Sequence, residues 1–138
     1  MPITLSWFDD KHSIILCTFE GQWTWQEYTY LEKNIWDFIE NADYRIDILA
    51  DWSLSAGFPL GLIDIIHRIG ENRVPEQTKS MVVNISQSPM LKILIGAFRR
   101  LYSKEAKFYQ LAGTLDDAIK LLEQDRGEAI TQSISAFK

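Results

Sequence analysis

The chain has 138 residues, of which 46% are hydrophobic and 24% are charged, the profile of one ordinary folded domain. Its 19 acidic and 14 basic residues give a net charge of −5, which argues against nucleic acid as a partner because that affinity depends on clustered cations. The single cysteine, Cys17, excludes an internal disulfide. No apolar run approaches the ~18 residues of a membrane span, and the start lacks the basic and apolar segments of a secretory signal. We therefore expect a cytoplasmic protein that is not integral to a membrane.

The first third of the chain predicts a β-hairpin followed by a helix. Two runs rich in Ile, Thr and aromatic residues, at 3–8 and 13–20, flank a short polar turn and predict the two hairpin strands. Thr24 and Glu27 have the spacing of a capping box, so a helix is predicted to begin there and to run to about residue 42. Its apolar stripe is expected to face a sheet. Three charged residues of the helix are expected to face water: Glu32, Lys33 and Asp37.

After the hairpin, strands alternate with helices, which favours parallel strands joined by right-handed crossovers. Strands are predicted at 45–52, 80–85 and 107–111, and helices from after 59 to about 72, from 88 to about 102, and from 114 through 124. The predicted fold is α/β, with a single mixed, mostly parallel five-stranded sheet, an N-terminal β-hairpin and about four helices, in the order ββαβαβαβα. Residues 1–125 are predicted to form the domain, and residues 126–138 an accessory or flexible C-terminal tail.

Four segments within residues 3–124 share a pattern with a known family: Phe19-Glu20-Gly21, Leu49-Ala50-Asp51-Trp52-Ser53, residues 81–85, and Phe108-Tyr109 through Thr114-Leu115-Asp116-Asp117-Ala118. Together with the order of elements, they resemble the STAS domain, the fold of bacterial anti-sigma-factor antagonists, and more specifically its divergent relatives. The resemblance implies a non-enzymatic regulatory or protein-interaction module whose partner the sequence does not identify.

The resemblance also implies where phosphorylation would act. In the family's antagonists, an Asp-x-Ser that ends the third strand precedes a motif whose serine is phosphorylated. Asp51-Trp52-Ser53 matches the first part, whereas residues 58–62, which correspond to the second part, contain no hydroxyl. Ser53 and Ser55 are therefore the candidate phosphorylation sites.

Polar residues at strand ends and helix starts form a candidate ligand or anion rim, because open α/β sheets usually bind ligands at this edge. The rim consists of Asp51, Ser53, Ser55, Asn84, Ser86 and Ser88. Asp51 is expected to accept hydrogen bonds from backbone amides of the loop that follows it, which is a structural role. Ser88 either caps the next helix or belongs to a helix N-terminus that holds an anion.

The helix predicted from residue 88 has two apolar stripes, and covering one sheet face requires one. The first stripe is Met90, Leu94, Ala97 and Leu101. The second is the candidate interface: Leu91, Ile95, Phe98 and Tyr102. With Leu62, Ile65 and Ile66 of the preceding helix, the excess apolar surface favours a homodimer, although packing between the two helices would also bury it. The alternative function is the binding of a small apolar ligand or lipid, since STAS-like folds are similar to CRAL-TRIO lipid-transfer proteins.

The sequence contains no motif that predicts catalysis or a cofactor. A glycine-rich phosphate loop, a dinucleotide fingerprint and a nucleophile elbow are all absent from it. His12 and His67 have no cysteine or carboxylate at the spacing of metal ligands, so no metal site is predicted. Cys17 alternates with apolar residues of a strand and is expected to be a small core residue. We therefore expect a non-enzymatic protein.

Overall fold

A computed structural model describes residues 2–57, 80–102 and 108–137. Within these ranges the chain forms six strands and three helices: β1 (Ile3–Asp9), β2 (Ile14–Gly21), α1 (Trp25–Glu40), β3 (Asp47–Ser55), β4 (Val82–Ile85), α2 (Pro89–Leu101), β5 (Tyr109–Ala112), α3 (Leu115–Arg126) and β6 (Gln132–Ala136). The strands make one mixed sheet in the order β5-β4-β3-β2-β1-β6. The α/β class is as predicted. The helix predicted after residue 59, with Leu62, Ile65, Ile66 and His67, lies outside the described residues.

Strand direction divides the sheet into two parts. Strands β2, β3, β4 and β5 are mutually parallel, so their carboxyl ends share one edge of the sheet. Strand β1 is antiparallel to both of its neighbours, β2 and β6. The β1–β2 pair is the predicted hairpin, which the structure confirms. Its turn includes His12 in the left-handed region, with φ of 54°.

Strand β3 is longer than predicted. The sequence places a loop after Trp52, but the strand continues to Ser55. The reason is the neighbouring strand: beyond a register shift, β2 keeps pairing with β3 at Glu20↔Leu54 and Gly21↔Ser55. The segment after Trp52 is therefore held by backbone pairing despite its polar composition.

The expected C-terminal tail contains a sixth strand. Strand β6 pairs antiparallel with the outer side of β1, at Ser6↔Ala136 and Trp7↔Ser135. Every residue of β6 is exposed, so the alternation of apolar and polar side chains that identifies a half-buried strand is weak. The strand forms because an open edge of β1 offers backbone partners, which corrects the prediction of five strands to six.

Two of the three described helices begin with a side-chain cap, and the third begins with a proline. The capping box of α1 is present as predicted, since the Thr24 side chain accepts from the Glu27 backbone and Glu27 accepts from the Thr24 backbone. Pro89 occupies the first turn of α2. The Thr114 hydroxyl caps α3, which ends at Gly127 in the left-handed conformation that glycine adopts without strain. Among the described residues, no helix has the length and apolar character needed to cross a membrane.

The sheet has a separate apolar core on each face. Helix α3 covers one face, where Ala118 and Leu122 pack on Leu49 and Val83. Helices α1 and α2 cover the other, which we call the aromatic face. Four of the five tryptophans are buried in the aromatic face, and the fifth packs against it: Trp7, Trp23, Trp36, Trp52 and Trp25. The core therefore uses most of the tryptophan surface that an interface would need.

Candidate functional site

The sheet divides the predicted rim into two groups. Asn84 lies on the aromatic face, where its side-chain oxygen accepts from the Trp52 indole N–H at 3.0 Å. Asp51 is adjacent to Trp52 in β3 and therefore points to the opposite face, with Leu49. The carboxylate and the amide are thus separated by the sheet, although the backbones of β3 and β4 are paired at this level. The six residues do not form one ligand site.

Asp51 and Ser53 form a local unit at the end of β3. One oxygen of Asp51, Oδ1, accepts from the Ser53 amide at 3.0 Å and from the Ser53 hydroxyl at 2.6 Å. Bonding of this carboxylate to a following backbone amide agrees with the structural role expected from the sequence. Ser53 is exposed, so its hydroxyl is accessible but lies directly beside a carboxylate.

Ser55, the other candidate phosphorylation site, joins β3 to the start of α1. Its hydroxyl accepts from the Trp23 indole N–H at 2.8 Å and donates to the Gly57 carbonyl at 2.8 Å. The Ser55 hydroxyl therefore acts as both an acceptor and a donor in hydrogen bonds within the fold. Modification of Ser55 would break the contact that holds Trp23 against the aromatic face.

Ser86 and Ser88 shape the turn that leads into α2. The Ser86 side chain is buried, and its hydroxyl accepts from the Ser88 amide at 3.0 Å. Ser88 occupies the cap position of α2, but its side chain makes no capping hydrogen bond. The helix start is therefore held by Ser86 and Pro89 rather than by the predicted cap. In the part of the chain that the structure describes, no second group identifies an anion site there.

The candidate interface residues lie in the core of a single chain. Leu91, Ile95 and Phe98 are buried in the aromatic face, and Tyr102 is half-buried against the same core. This placement corrects the expected interface, because side chains that fill one chain's core do not reach a second copy. The sequence shows two stripes on α2 but not which of them faces the sheet.

A cavity of about 40 Å³ lies beneath α1 on the aromatic face. Strands β1 to β5 form its floor, and α1 forms its wall with Tyr28 and Glu32. Phe19 and Trp52 also line it, and their rings stack with centroids 3.8 Å apart and planes 4° apart. The cavity is thus an aromatic space that contains the carboxylate of Glu32 and the amide of Asn84.

Glu32 departs from its predicted exposure to water, because it is only 8% exposed. The Tyr28 hydroxyl, one helical turn earlier, donates to Glu32 Oε2 at 2.7 Å. Burial of the ring, and then the negative charge of Glu32, raises the pKa of Tyr28 well above its ordinary value. Tyr28 therefore remains a neutral hydrogen-bond donor to the carboxylate at physiological pH.

Cys17 lines the same cavity and is not a nucleophile there. Burial raises the pKa of its thiol to about 12, and the reactive form of cysteine is the thiolate. The expected role as a small core residue agrees with its place in the aromatic core. Among the described residues, no group of three or more His, Cys, Asp or Glu has the geometry of a metal site.

The opposite edge of the sheet contains a charged cluster that the sequence did not reveal, which we call the Asp47 network. Asp47 is fully buried and accepts from Arg126 Nε at 2.6 Å, Arg45 Nε at 3.0 Å and the Met81 amide at 2.8 Å. Arg126 also donates to the Ser13 hydroxyl at 2.9 Å. Burial alone would lower the pKa of Arg45, but Asp47 and Asp125 raise it above its ordinary value.

The Asp47 network connects distant parts of the chain. Arg126 is the last residue of α3, whereas Asp47 begins β3 and Ser13 precedes β2. Arg126 bonds to both Asp47 and Ser13, so the arrangement fixes the docking of α3 on the sheet. We assign it a structural role.

Comparison with known proteins does not identify the chain. No model of a protein family matches it, and no curated protein matches it significantly. The resemblance to the STAS domain stays a prediction that depends on sequence segments and on the order of elements.

Proposed function

We propose that the protein is a non-enzymatic interaction module that binds an acidic partner protein through the outer face of α2. The single observation that carries this proposal is an exposed apolar stripe beside exposed cations on that helix. The proposal keeps the function expected from the sequence, a non-enzymatic interaction module. It places the contact surface on the outer side of α2 instead of on the side that is buried.

The stripe consists of the large apolar side chains of α2 that the core leaves uncovered: Met90, Ile93 and Leu101. Ile93 is 68% exposed, which is high for a β-branched apolar residue. Ile93 and Leu101 are eight residues apart, a little over two helical turns, and half-buried Ala97 lies between them on the same side. A row of this kind along a helix fits an apolar groove on a protein partner.

The cations on α2 specify the charge of that partner. Lys92, Arg99 and Arg100 are exposed, and the helix Pro89–Leu101 contains no acidic residue. The whole chain has a net charge of −5, so α2 is a basic surface on an acidic protein. Complementary potentials favour association and fix its orientation, which selects an acidic partner.

The same positive charges disfavour the binding of a second copy of the chain to the outer face of α2. Two α2 helices packed about a two-fold axis would bring the cations of one helix near the cations of the other. Like charges placed together at an interface oppose binding. The homodimer expected from the sequence therefore has no favourable geometry at this surface.

The cavity beneath α1 is too small for the alternative function, the binding of an apolar ligand or lipid. Its volume is about 40 Å³, whereas an engineered apolar cavity that binds benzene has a volume of about 150 Å³. A lipid chain would require α1 to separate from the sheet.

Site-specific photo-crosslinking in cells that produce the protein tests the proposal. A photoreactive amino acid replaces Ile93 on α2 or, as the matched control, Tyr30 on α1, which is 70% exposed. We expect a discrete protein adduct from position 93 that Arg100→Glu removes, and no such adduct from position 30. No adduct, the same adduct from both positions, or an adduct with lipid from position 93 would contradict the proposal.

A further inference from the structure

We infer that strand β6 is exchanged between two copies of the chain, so that the β1 edge of one copy accepts the β6 strand of the other. The inference is independent of the proposed contact through α2, because none of the residues involved belongs to that helix. It depends on how weakly β6 is held, on the edge that β6 covers and on the segment that connects β6 to α3.

Few side-chain contacts hold β6 on the sheet. All five of its residues are exposed, and its pairing with β1 becomes irregular between Trp7 and Asp9. The Ser135 hydroxyl lies 3.3 Å from Nε2 of His12, which is itself exposed. Phe137, directly after the strand, is half-buried. An element that buries so little apolar surface opens locally at a free-energy cost well below that of global unfolding.

The edge that β6 covers is specific for this strand. Trp7 of β1 pairs with Ser135, and the Phe137 ring lies against Trp7 and Phe38 with centroid distances of 5.0 and 5.5 Å. The β6 strand of a second copy would make the same backbone bonds and ring contacts, so the exchange requires no new complementary surface. The strand also contains no charged residue that a second acidic chain would repel. A second copy is therefore the partner that this edge selects.

The segment that connects α3 to β6, residues 128–131, is loosely packed, and we call it the hinge. A cavity of about 160 Å³ lies between the hinge and the β1–β2 turn. The Ile130 amide donates to Glu123 Oε2 at 2.9 Å, which ties the hinge to α3 and not to the sheet. The ion pair Lys11–Glu128, at 3.9 Å, is exposed, and pairs of this kind contribute little to stability. Rearrangement of the hinge thus disrupts few buried contacts.

Disulfide trapping between two full-length variants tests the exchange. Chains with Ser6→Cys are mixed with chains that carry Ala136→Cys, and the mixed disulfide is quantified by mass spectrometry without reductant. Ser6 and Ala136 are directly paired, so a swapped strand brings the two new thiols within disulfide range, whereas the native Cys17 is buried. We expect a mixed disulfide whose yield rises with protein concentration. The control mixture, Ser6→Cys with Lys120→Cys at an exposed position of α3, should give less.

A change in hinge length provides a second, independent measurement. Deletion of Glu128 and Ala129 opposes the return of β6 to its own β1 but leaves pairing with a second copy possible, since short hinges favour strand exchange. We expect this variant to have the mass of two chains by light scattering during size exclusion. Insertion of two glycines after Ala129 is the matched control and should give the mass of one chain.

Two results would overturn the inference. They are equal yields of mixed disulfide in the two mixtures and a one-chain mass for the shortened variant. If the shortened variant does not fold, the trapping experiment still decides the question. Because the photoreactive residue at position 93 is on α2, the adduct that tests the proposed function is measured separately from either result.

Discussion

The Trp52 indole N–H donates to Asn84 Oδ1 at 3.0 Å and thereby joins β3 to β4 on the aromatic face. The Asn84 amide in turn donates to the Gln110 carbonyl of β5 at 3.2 Å. One buried side chain thus connects three neighbouring strands. Its hydrogen bonds hold the Trp52 ring in position on the floor of the cavity.

Replacement of Asn84 should therefore destabilise the fold. Asn84→Ala removes both of these hydrogen bonds in a buried setting, which costs about 1–3 kcal/mol. Urea unfolding followed by tryptophan fluorescence measures the change. Asn34→Ala, at an exposed position of α1, is the control and should change stability by less than about 0.5 kcal/mol. Equal effects of the two substitutions would contradict this role of Asn84.

Substitution within the Asp47 network should lower the stability of the fold more than substitution in an exposed ion pair. Asp47→Ala leaves Arg126 without its carboxylate partner, and breaking a buried pair in this way costs about 3–5 kcal/mol. Arg45 is partly exposed, so water can solvate its charge when Asp47 is removed. We therefore expect a loss of stability at the lower end of that range. Asp37→Ala on the surface of α1 should cost less than about 0.5 kcal/mol. Chemical unfolding of both variants measures the difference, and a loss below about 1 kcal/mol for Asp47→Ala would exclude the assigned role.

Stability should decrease at alkaline pH, in part because of Cys17. The pKa of the thiol is raised from 9.0 to about 12 in the folded protein, so above pH 9 the unfolded chain loses a proton that the folded chain retains. This favours the unfolded state by about 1.4 kcal/mol for each pH unit up to about 12, and the contribution is absent below pH 9. Tyr28 acts in the same direction above its ordinary pKa.

Cys17→Ala isolates the thiol contribution. The variant should lose less stability than the unmodified protein when the pH is raised from about 8 to about 10, by roughly 1 kcal/mol. Urea unfolding at the two pH values provides the measurement, and the other groups that titrate in this range cancel in the comparison. An identical decrease in both proteins would show that the thiol is not protected by burial.

The candidate phosphorylation sites should differ in their contribution to stability. Ser55→Ala removes an acceptor for Trp23 and a donor to Gly57 and should cost about 1 kcal/mol. Ser53→Ala, at an exposed position, should cost less. The double variant should leave the adduct formed from position 93 unchanged, because neither serine belongs to α2. Loss of that adduct in the folded double variant would favour a serine switch over the α2 surface.

Local patterns in the sequence predicted the hairpin, the start of α1 and the alternation of strands with helices. These features depend on neighbouring residues: the Thr24 and Glu27 cap, for example, is complete within four positions. The burial of Glu32 was also accessible in principle, because its spacing from Tyr28 and Ile35 places it in the apolar stripe. Its charge made the solvent-facing interpretation more natural.

Other features depend on contacts between distant parts of the chain and were not predicted. Arg126 reaches Asp47 across 79 positions, and no local pattern indicates that pairing. Strand β6 forms through backbone pairing with β1 while its own side chains stay exposed. The choice of the buried stripe on α2 depends on how the helix docks on the sheet.

The most direct test of the proposed interaction surface is charge reversal on α2 compared with charge reversal elsewhere. Lys92→Glu with Arg100→Glu changes the outer face of α2, and Lys33→Glu with Lys120→Glu makes the same change in net charge at exposed positions of α1 and α3. The measurement is the yield of the protein adduct from a photoreactive residue at position 93, with folding checked by circular dichroism. We expect the α2 pair to abolish the adduct and the control pair to retain it. An adduct that survives reversal on α2, or that both pairs reduce equally, would contradict recognition of an acidic partner by this helix.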